Sequence, residues 1–281
     1  MKSIKIFVIL IGVIGLFFTS CKSDFEKIRT SGDVDTIYKK AFEFYEQEEY
    51  QKAQALFELV INNLRGKVEA EKVYFYYANT HYKLRRYVLA SYYYKNFATT
   101  FPNSSYREEA DFMTAFSNYQ LSPTYRLDQT YSLKAIDQFQ LFVNTYPTSE
   151  KVKQCNQLID EMRRKLEQKA YAEGELYFDL RQYQAATQSF ENLLREFPET
   201  PNAENVRYMM IRANYLLASN SVYTKQEERY KNTMKYYEIF VNKYPKSKFD
   251  KELVTIYKNS TQKLKDLEND RYQSKSARSR S

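Results

Sequence analysis

Tryptophan is absent from the 281 residues, histidine occurs once and cysteine twice, and only five Gly and six Pro punctuate the chain. Each scarcity excludes something. One His, two Cys and no glycine-rich loop leave little material for a metal centre, a nucleophilic dyad or a phosphate cradle. No enzyme activity, no metal and no cofactor are therefore expected. So few Gly and Pro, with Gly12 and Gly15 inside the first twenty residues, argue against a collagen-like chain or an all-β protein dense in short turns. Six of the net charge of +8 come from the two ends, residues 1–20 and 271–281, which hold Lys2, Lys5, Arg271, Lys275, Arg278 and Arg280 and no acid. Setting those six aside leaves 37 basic residues against 35 acidic ones, and a basic face for nucleic acid is not indicated. What is abundant is aromatic. The 28 Tyr and 19 Phe supply too much apolar ring for a disordered chain.

Residues 4–18 are apolar apart from Lys5 and two Gly. The stretch is short for a membrane span and has the charged start and apolar middle of a secretory signal peptide. It runs into Phe18-Thr19-Ser20-Cys21, and small residues before a Cys resemble the lipobox of bacterial lipoproteins, with Phe18 where Leu is usual. Residues 1–20 are then a cleaved signal, and Cys21 carries the lipid, the only covalent group expected. Residues 21–34 are polar and irregular, a tether spanning about 45 Å when extended. Lys22 directly after the Cys favours the outer membrane, with the protein facing the periplasm. The other thiol, Cys155, lies on the stripe Val152, Cys155, Ile159, Met162, Leu166, spaced for one helix face, and is expected to be a buried small hydrophobe.

From residue 35 to about 268 one template recurs: a small residue, then +3, +6 to an aromatic, +3 to Ala, +4 to an aromatic, and +8 to Pro. It reads Ala78, His81, Tyr87, Ala90, Tyr94, Pro102 in the second copy and Gly174, Tyr177, Tyr183, Ala186, Phe190, Pro198 in the fourth. The first copy, from Ala41, has Arg65 in place of Pro. The third, from Ala115, and the fifth, from Ala213, fit when eight residues are inserted near Leu121–Asp128 and Ser219–Gln226, which read as loops. The pattern predicts an all-α fold, a right-handed α-α superhelix of about five tetratricopeptide-like hairpins. Small residues let paired helices approach, rings fill the space between hairpins, and Pro stops each second helix. Ser105-x-x-Glu108 and Ser247-x-x-Asp250 look like capping boxes, and Thr200-Pro201 places Pro at a helix start. A gap of 27 rather than 13 residues before Gly174 predicts one long helix over about 149–180. Residues 248–268 form a final capping helix, and 269–281 are expected to be a disordered basic tail.

His81 occupies a bulky consensus position and is expected to be packed. The clustered Glu46, Glu48 and Glu49 read as a solvated turn. In such solenoids the first helix of each hairpin lines the concave surface, through positions three before, one after and four after the small residue. In the first three hairpins these are Tyr38, Phe42, Tyr45; Phe75, Asn79, Tyr82; and Phe112, Phe116, Tyr119. Eight of the nine are aromatic, against two of six among Tyr171, Glu175, Phe178, Met210, Asn214 and Leu217 in the last two. The rings suit a site for an extended apolar or aromatic peptide. Packing between repeats is the other reading of the same rings.

The acylated Cys, the tether, five repeats, insertions in the third and fifth, and the strings Phe101-Pro102-Asn103-Ser104, Tyr146-Pro147-Thr148-Ser149 and Tyr244-Pro245-Lys246-Ser247 resemble the BamD family of outer-membrane protein assembly lipoproteins. The resemblance covers Cys21 to about residue 268. It implies a periplasm-facing subunit of the barrel-assembly machine. Its N-terminal repeats would receive the aromatic-ended C-terminal signal of unfolded barrel proteins, and its C-terminal repeats would dock a BamA-like barrel subunit. The long helix in the fourth repeat and the Tyr excess depart from that pattern. The alternative is a tetratricopeptide-repeat cell-envelope or cell-division coordinator, although no heptad run precedes the repeats. Glycan-binding lipoproteins on the same helices favour Trp platforms, which this chain lacks.

Overall fold

The computed structural model describes residues 24–278, with side chains through Arg271. The expected signal peptide, Cys21 and residues 279–281 lie outside the described residues. Twelve α-helices are described: α1 (Asp24–Arg29), α2 (Val34–Glu46), α3 (Tyr50–Ile61), α4 (Glu69–Lys83), α5 (Tyr87–Thr100), α6 (Arg107–Gln120), α7 (Thr130–Thr145), α8 (Val152–Asp179), α9 (Tyr183–Glu196), α10 (Ala203–Ser219), α11 (Tyr223–Lys243) and α12 (Asp250–Arg278). The fold class is the all-helical one expected, with paired helices in sequence order. Among the described residues no helix is long and apolar enough to cross a membrane.

The helices form two compact units. The first comprises the chain up to Ser122 and Thr130–Ile159, and the second comprises Pro123–Gln129 and the chain from Asp160. In the first unit each of α2 to α6 packs on the next helix in sequence. Ala41, Ala78 and Ala115 are fully buried on the first helices, as are Ala53, Ala90 and Ala135 on the second ones. Phe57, Tyr94 and Phe139 fill the template's second aromatic position and are also fully buried. In the second unit Ala186, Phe190 and Leu193 pack with Val206, Met210 and Ala213. A second cluster joins Ile211, Phe240, Leu253 and Ile256.

The helix ends follow the chemistry of their residues. Helices α5, α7, α9 and α11 each stop two residues before Pro102, Pro147, Pro198 and Pro245. The residue ahead of the Pro is driven out of helical geometry, with ψ of 68° at Phe101, 69° at Phe197 and 69° at Tyr244. The turns after α2, α4 and α8 share one cap. Glu48, Arg85 and Arg181 adopt left-handed φ of 61°, 56° and 59°, and the next amide reaches back to Phe44, His81 and Tyr177 carbonyls at 2.8–2.9 Å. This is a Schellman closure, built here without glycine.

Several expectations are corrected. The caps after the prolines are not Ser-x-x-Glu boxes. Ser104, rather than Ser105, accepts from the Tyr106 amide, and Ser247 accepts from the Phe249 amide. Each hydroxyl donates to a carboxylate one repeat earlier: Ser104 to Glu71, Ser149 to Glu108 (2.6 Å), Thr200 to Glu167 and Ser247 to Glu204 (2.6 Å). Pro201 precedes its helix, which starts at Ala203. The long helix is present over Val152–Asp179. The third insertion is a loop, but the fifth is helix: only Asn220–Val222 separate α10 from a 21-residue α11. The extension is used. Ala218 and Tyr230 bury themselves with Leu264 and Leu267 of α12, and Glu227 pairs with Arg271. That platform, and the lack of any Pro or Gly after residue 250, carry α12 to Arg278 where a disordered tail from 269 was expected. The tether expected over 21–34 is shorter too. Phe25 and Ile28 of α1 pack on the first core, with the Phe25 ring 5.8 Å from Phe44.

Candidate functional site

The first three hairpins place their predicted row along α2, α4 and α6, and the rings touch from helix to helix. Tyr38 and Phe42 lie 4.9 Å apart between centroids. Phe42 meets Tyr76 of α4 edge-on at 5.0 Å, and Tyr45 meets the same ring at 4.9 Å. At the other edge of α4, Tyr82 meets Phe116 of α6 at 6.2 Å. Phe116 stacks on both neighbours of its own helix, Phe112 at 5.5 Å and Tyr119 at 5.7 Å. Edge-on and offset contacts of this kind satisfy ring quadrupoles and hold each ring in one orientation.

The nine positions divide by burial. Tyr38, Phe42, Tyr45, Asn79, Tyr82, Phe116 and Tyr119 are half-buried, packed at one edge and open at the other. Phe75 and Phe112 are only 6% and 5% exposed. Phe75 stacks on Tyr106 at 4.6 Å and packs against Phe97, while Phe112 packs against Phe139 and Phe142. These two support the row from beneath. The side-chain oxygen of Asn79 accepts from the Tyr94 hydroxyl, which leaves only its amide hydrogens to meet a ligand.

Sequence periodicity missed Tyr76. Its equivalents two residues before the other small positions are Lys39, Met113, Ala172 and Ile211, so no repeated signal marks it. Lys72 was also missed. It sits 4.5 Å above the Phe42 ring and 5.7 Å from Tyr76, and Lys151 lies 5.5 Å over Phe112. The row is thus an apolar strip with cations on its margin. Four of its phenols are held neutral: burial, with help from neighbouring Tyr50 and Tyr76, pushes Tyr45 up to about 12, and burial raises Tyr38, Tyr76 and Tyr82 as well.

The remaining reactive groups are inert by placement. Cys155 is fully buried, and burial pushes its thiol up to about 11. His81 is 2% exposed, stacked on Tyr93 at 4.8 Å and edge-on to Tyr77. Its Nδ1 has no hydrogen-bond partner, and burial followed by the nearby Arg86 holds the ring down at about 4. Among the described residues no group of His, Cys, Asp and Glu is placed to hold a metal.

The family model described as "Outer membrane lipoprotein", YfiO, matches residues 31–229. A protein of Aquifex aeolicus (strain VF5) described as "Putative outer membrane protein assembly factor BamD" is 26% identical over 218 residues, 77% of this chain and 71% of that one. Among solved structures, a tetratricopeptide repeat protein from Parabacteroides merdae ATCC 43184 aligns at a TM-score of 0.34 and 11% identity, over 84% of this chain and 79% of its own. Apo RapI aligns at 0.31 and 14%, over 83% and 84%. These structural alignments are loose, whereas the family match covers all five hairpins except the end of the last. The chain belongs to the YfiO family of outer membrane lipoproteins.

Proposed function

We propose that the protein is a non-enzymatic scaffold of the outer-membrane barrel-assembly machinery, held on the periplasmic face by lipid on Cys21. Its first three hairpins hold aromatic segments of unfolded barrel proteins, and its last two dock a BamA-like barrel subunit. Family membership supports the setting. The observation that carries the substrate assignment is the ring-to-ring strip on α2, α4 and α6. Its outer members keep an open edge, and Lys72 stands at its margin. An extended chain ending in an aromatic residue would lay rings on that strip and its terminal carboxylate near a cation.

The test separates binding from packing. Phe42→Ala and Phe116→Ala should weaken a fluorescent C-terminal barrel peptide by about thirtyfold, the equivalent of about 2 kcal/mol for a half-exposed aromatic anchor. Melting should change little. Phe75→Ala and Phe112→Ala are the controls, expected to cost about 3–5 kcal/mol of stability because their rings are core. If Phe42→Ala and Phe116→Ala melt early while binding the peptide unchanged, the strip is packing and the assignment fails.

A further inference from the structure

A second concavity, sharing none of the row's residues, opens between α5, α6 and α7. It has a volume of about 470 Å³, enough for one or two side chains. Its walls are the apolar flanks of Ala98, Leu141 and Phe142, and Leu141 stands 65% exposed at the mouth. An exposed leucine beside a formed pocket is not explained by the packing of the repeat.

The polar lining is one-sided. Arg107 spends one nitrogen on the Pro102 carbonyl (2.8 Å). Its Nε is buried without a hydrogen-bond acceptor, 3.6 Å from the Asp111 carboxylate. Lys95 has no carboxylate within ion-pair distance among the described residues. Gln138 uses its side-chain oxygen to accept from Asn118 (2.7 Å), which leaves its amide hydrogens to donate. Asp111, the one acid in the wall, already accepts from the Tyr146 hydroxyl at 2.7 Å and lies against Arg107. The pocket therefore offers three sets of donors with spare capacity, and two cations against one carboxylate whose contacts both fall on Oδ2. A carboxylate would be met by a planar guanidinium and an ammonium, next to apolar walls.

We propose that this pocket binds a short extended peptide segment in which a carboxylate adjoins an apolar side chain. The acid meets Arg107 and Lys95, and the apolar group packs on Leu141 and Phe142. This site is independent of the aromatic strip and stands or falls separately from it.

The probes are Ac-Leu-Glu-Leu-NH2 and its neutral isostere Ac-Leu-Gln-Leu-NH2, titrated into the mature full-length protein with methyl NMR on Ala98 and Leu141. The acidic peptide should shift these methyls and bind at least tenfold tighter than the isostere. A third probe, Ac-Leu-Gln-Leu with a free carboxylate, tells whether a chain end serves as well as a Glu side chain. Arg107→Gln should abolish the tenfold preference. Because that change also removes a bond to Pro102, Leu141→Glu is the second variant. It alters an exposed residue and places a negative charge at the mouth, and it should weaken the acidic peptide by tenfold or more while leaving melting unchanged. Phe42→Ala should have no effect here. Equal binding of acidic and neutral peptides, methyl shifts only at the aromatic strip, or no shift at millimolar peptide would each overturn the proposal.

Discussion

Gly174 occupies the small position of the fourth repeat for a reason of space. A Cβ there would lie 2.4–2.8 Å from the Phe190 ring, which is fully buried. Alanine is worth about 1 kcal/mol more than glycine in a helix interior, but overpacking a filled core costs about 1–3 kcal/mol. Gly174→Ala should therefore lower unfolding stability in urea, and Phe190→Leu should cancel the alanine's penalty in a double-mutant cycle. Additive effects would show that ring and helix do not compete. His81 carries a second residue-scale prediction. Its folded-state value of about 4 lies below the ordinary 6.5. Between those values the unfolded chain takes up a proton that the folded one refuses, so the stability His81 contributes is full above pH 6.5 and lost as pH falls toward 4. The loss is on the order of 1–3 kcal/mol. His81→Phe keeps the stack on Tyr93 without a titrating nitrogen, and its melting temperature should fall less than the wild type's between pH 7 and pH 4.5. The sequence pointed to both residues because they sit at repeat positions. It did not point to Tyr76, whose role comes from meeting two rings of another helix rather than from any period.

The three Schellman turns hold Glu48, Arg85 and Arg181 in a conformation that costs a residue with a Cβ about 1 kcal/mol or more. Each side chain is exposed, so nothing is lost by removing it. Replacing any one by Gly should raise stability by about 0.5–1 kcal/mol in chemical denaturation, and the three should add because their turns lie in different repeats. A gain at none of them would mean that the turns relax at no cost. Element boundaries were legible wherever a chemical stop exists, since a proline ends four of the second helices and the unbroken spacing before Gly174 announced α8. They were illegible where contacts between distant segments decide. Ser219–Gln226 has a loop's composition, but all of it except Asn220–Val222 is helical, because Tyr230 and Ala218 must reach Leu264 and Leu267. The Ser-to-Glu struts escaped for the same reason. The hydroxyl's partner lies 33 to 43 residues back, beyond any capping motif.

At the scale of the whole molecule, the docking of α1 changes what the proposed anchor would do. With Phe25 and Ile28 packed on the first core, only three peptide steps separate Cys21 from the folded body, about 11 Å at full stretch instead of about 45 Å. If Cys21 bears the acyl chains, as proposed above, the region that the body can sweep shrinks on the order of seventyfold in volume, and the local concentration of any partner in the same membrane rises accordingly. Inserting a twelve-residue Gly/Ser segment after Ser23 should leave melting unchanged. In vesicles, it should weaken capture of a co-embedded barrel subunit by tenfold or more. Equal capture at both lengths would show that height above the bilayer is irrelevant. A lipid on Cys21 would then act as a hinge pin: it would turn a three-dimensional search for a partner into one along a plane, and the six residues of α1 would fix the standoff at which the first repeat meets the bilayer.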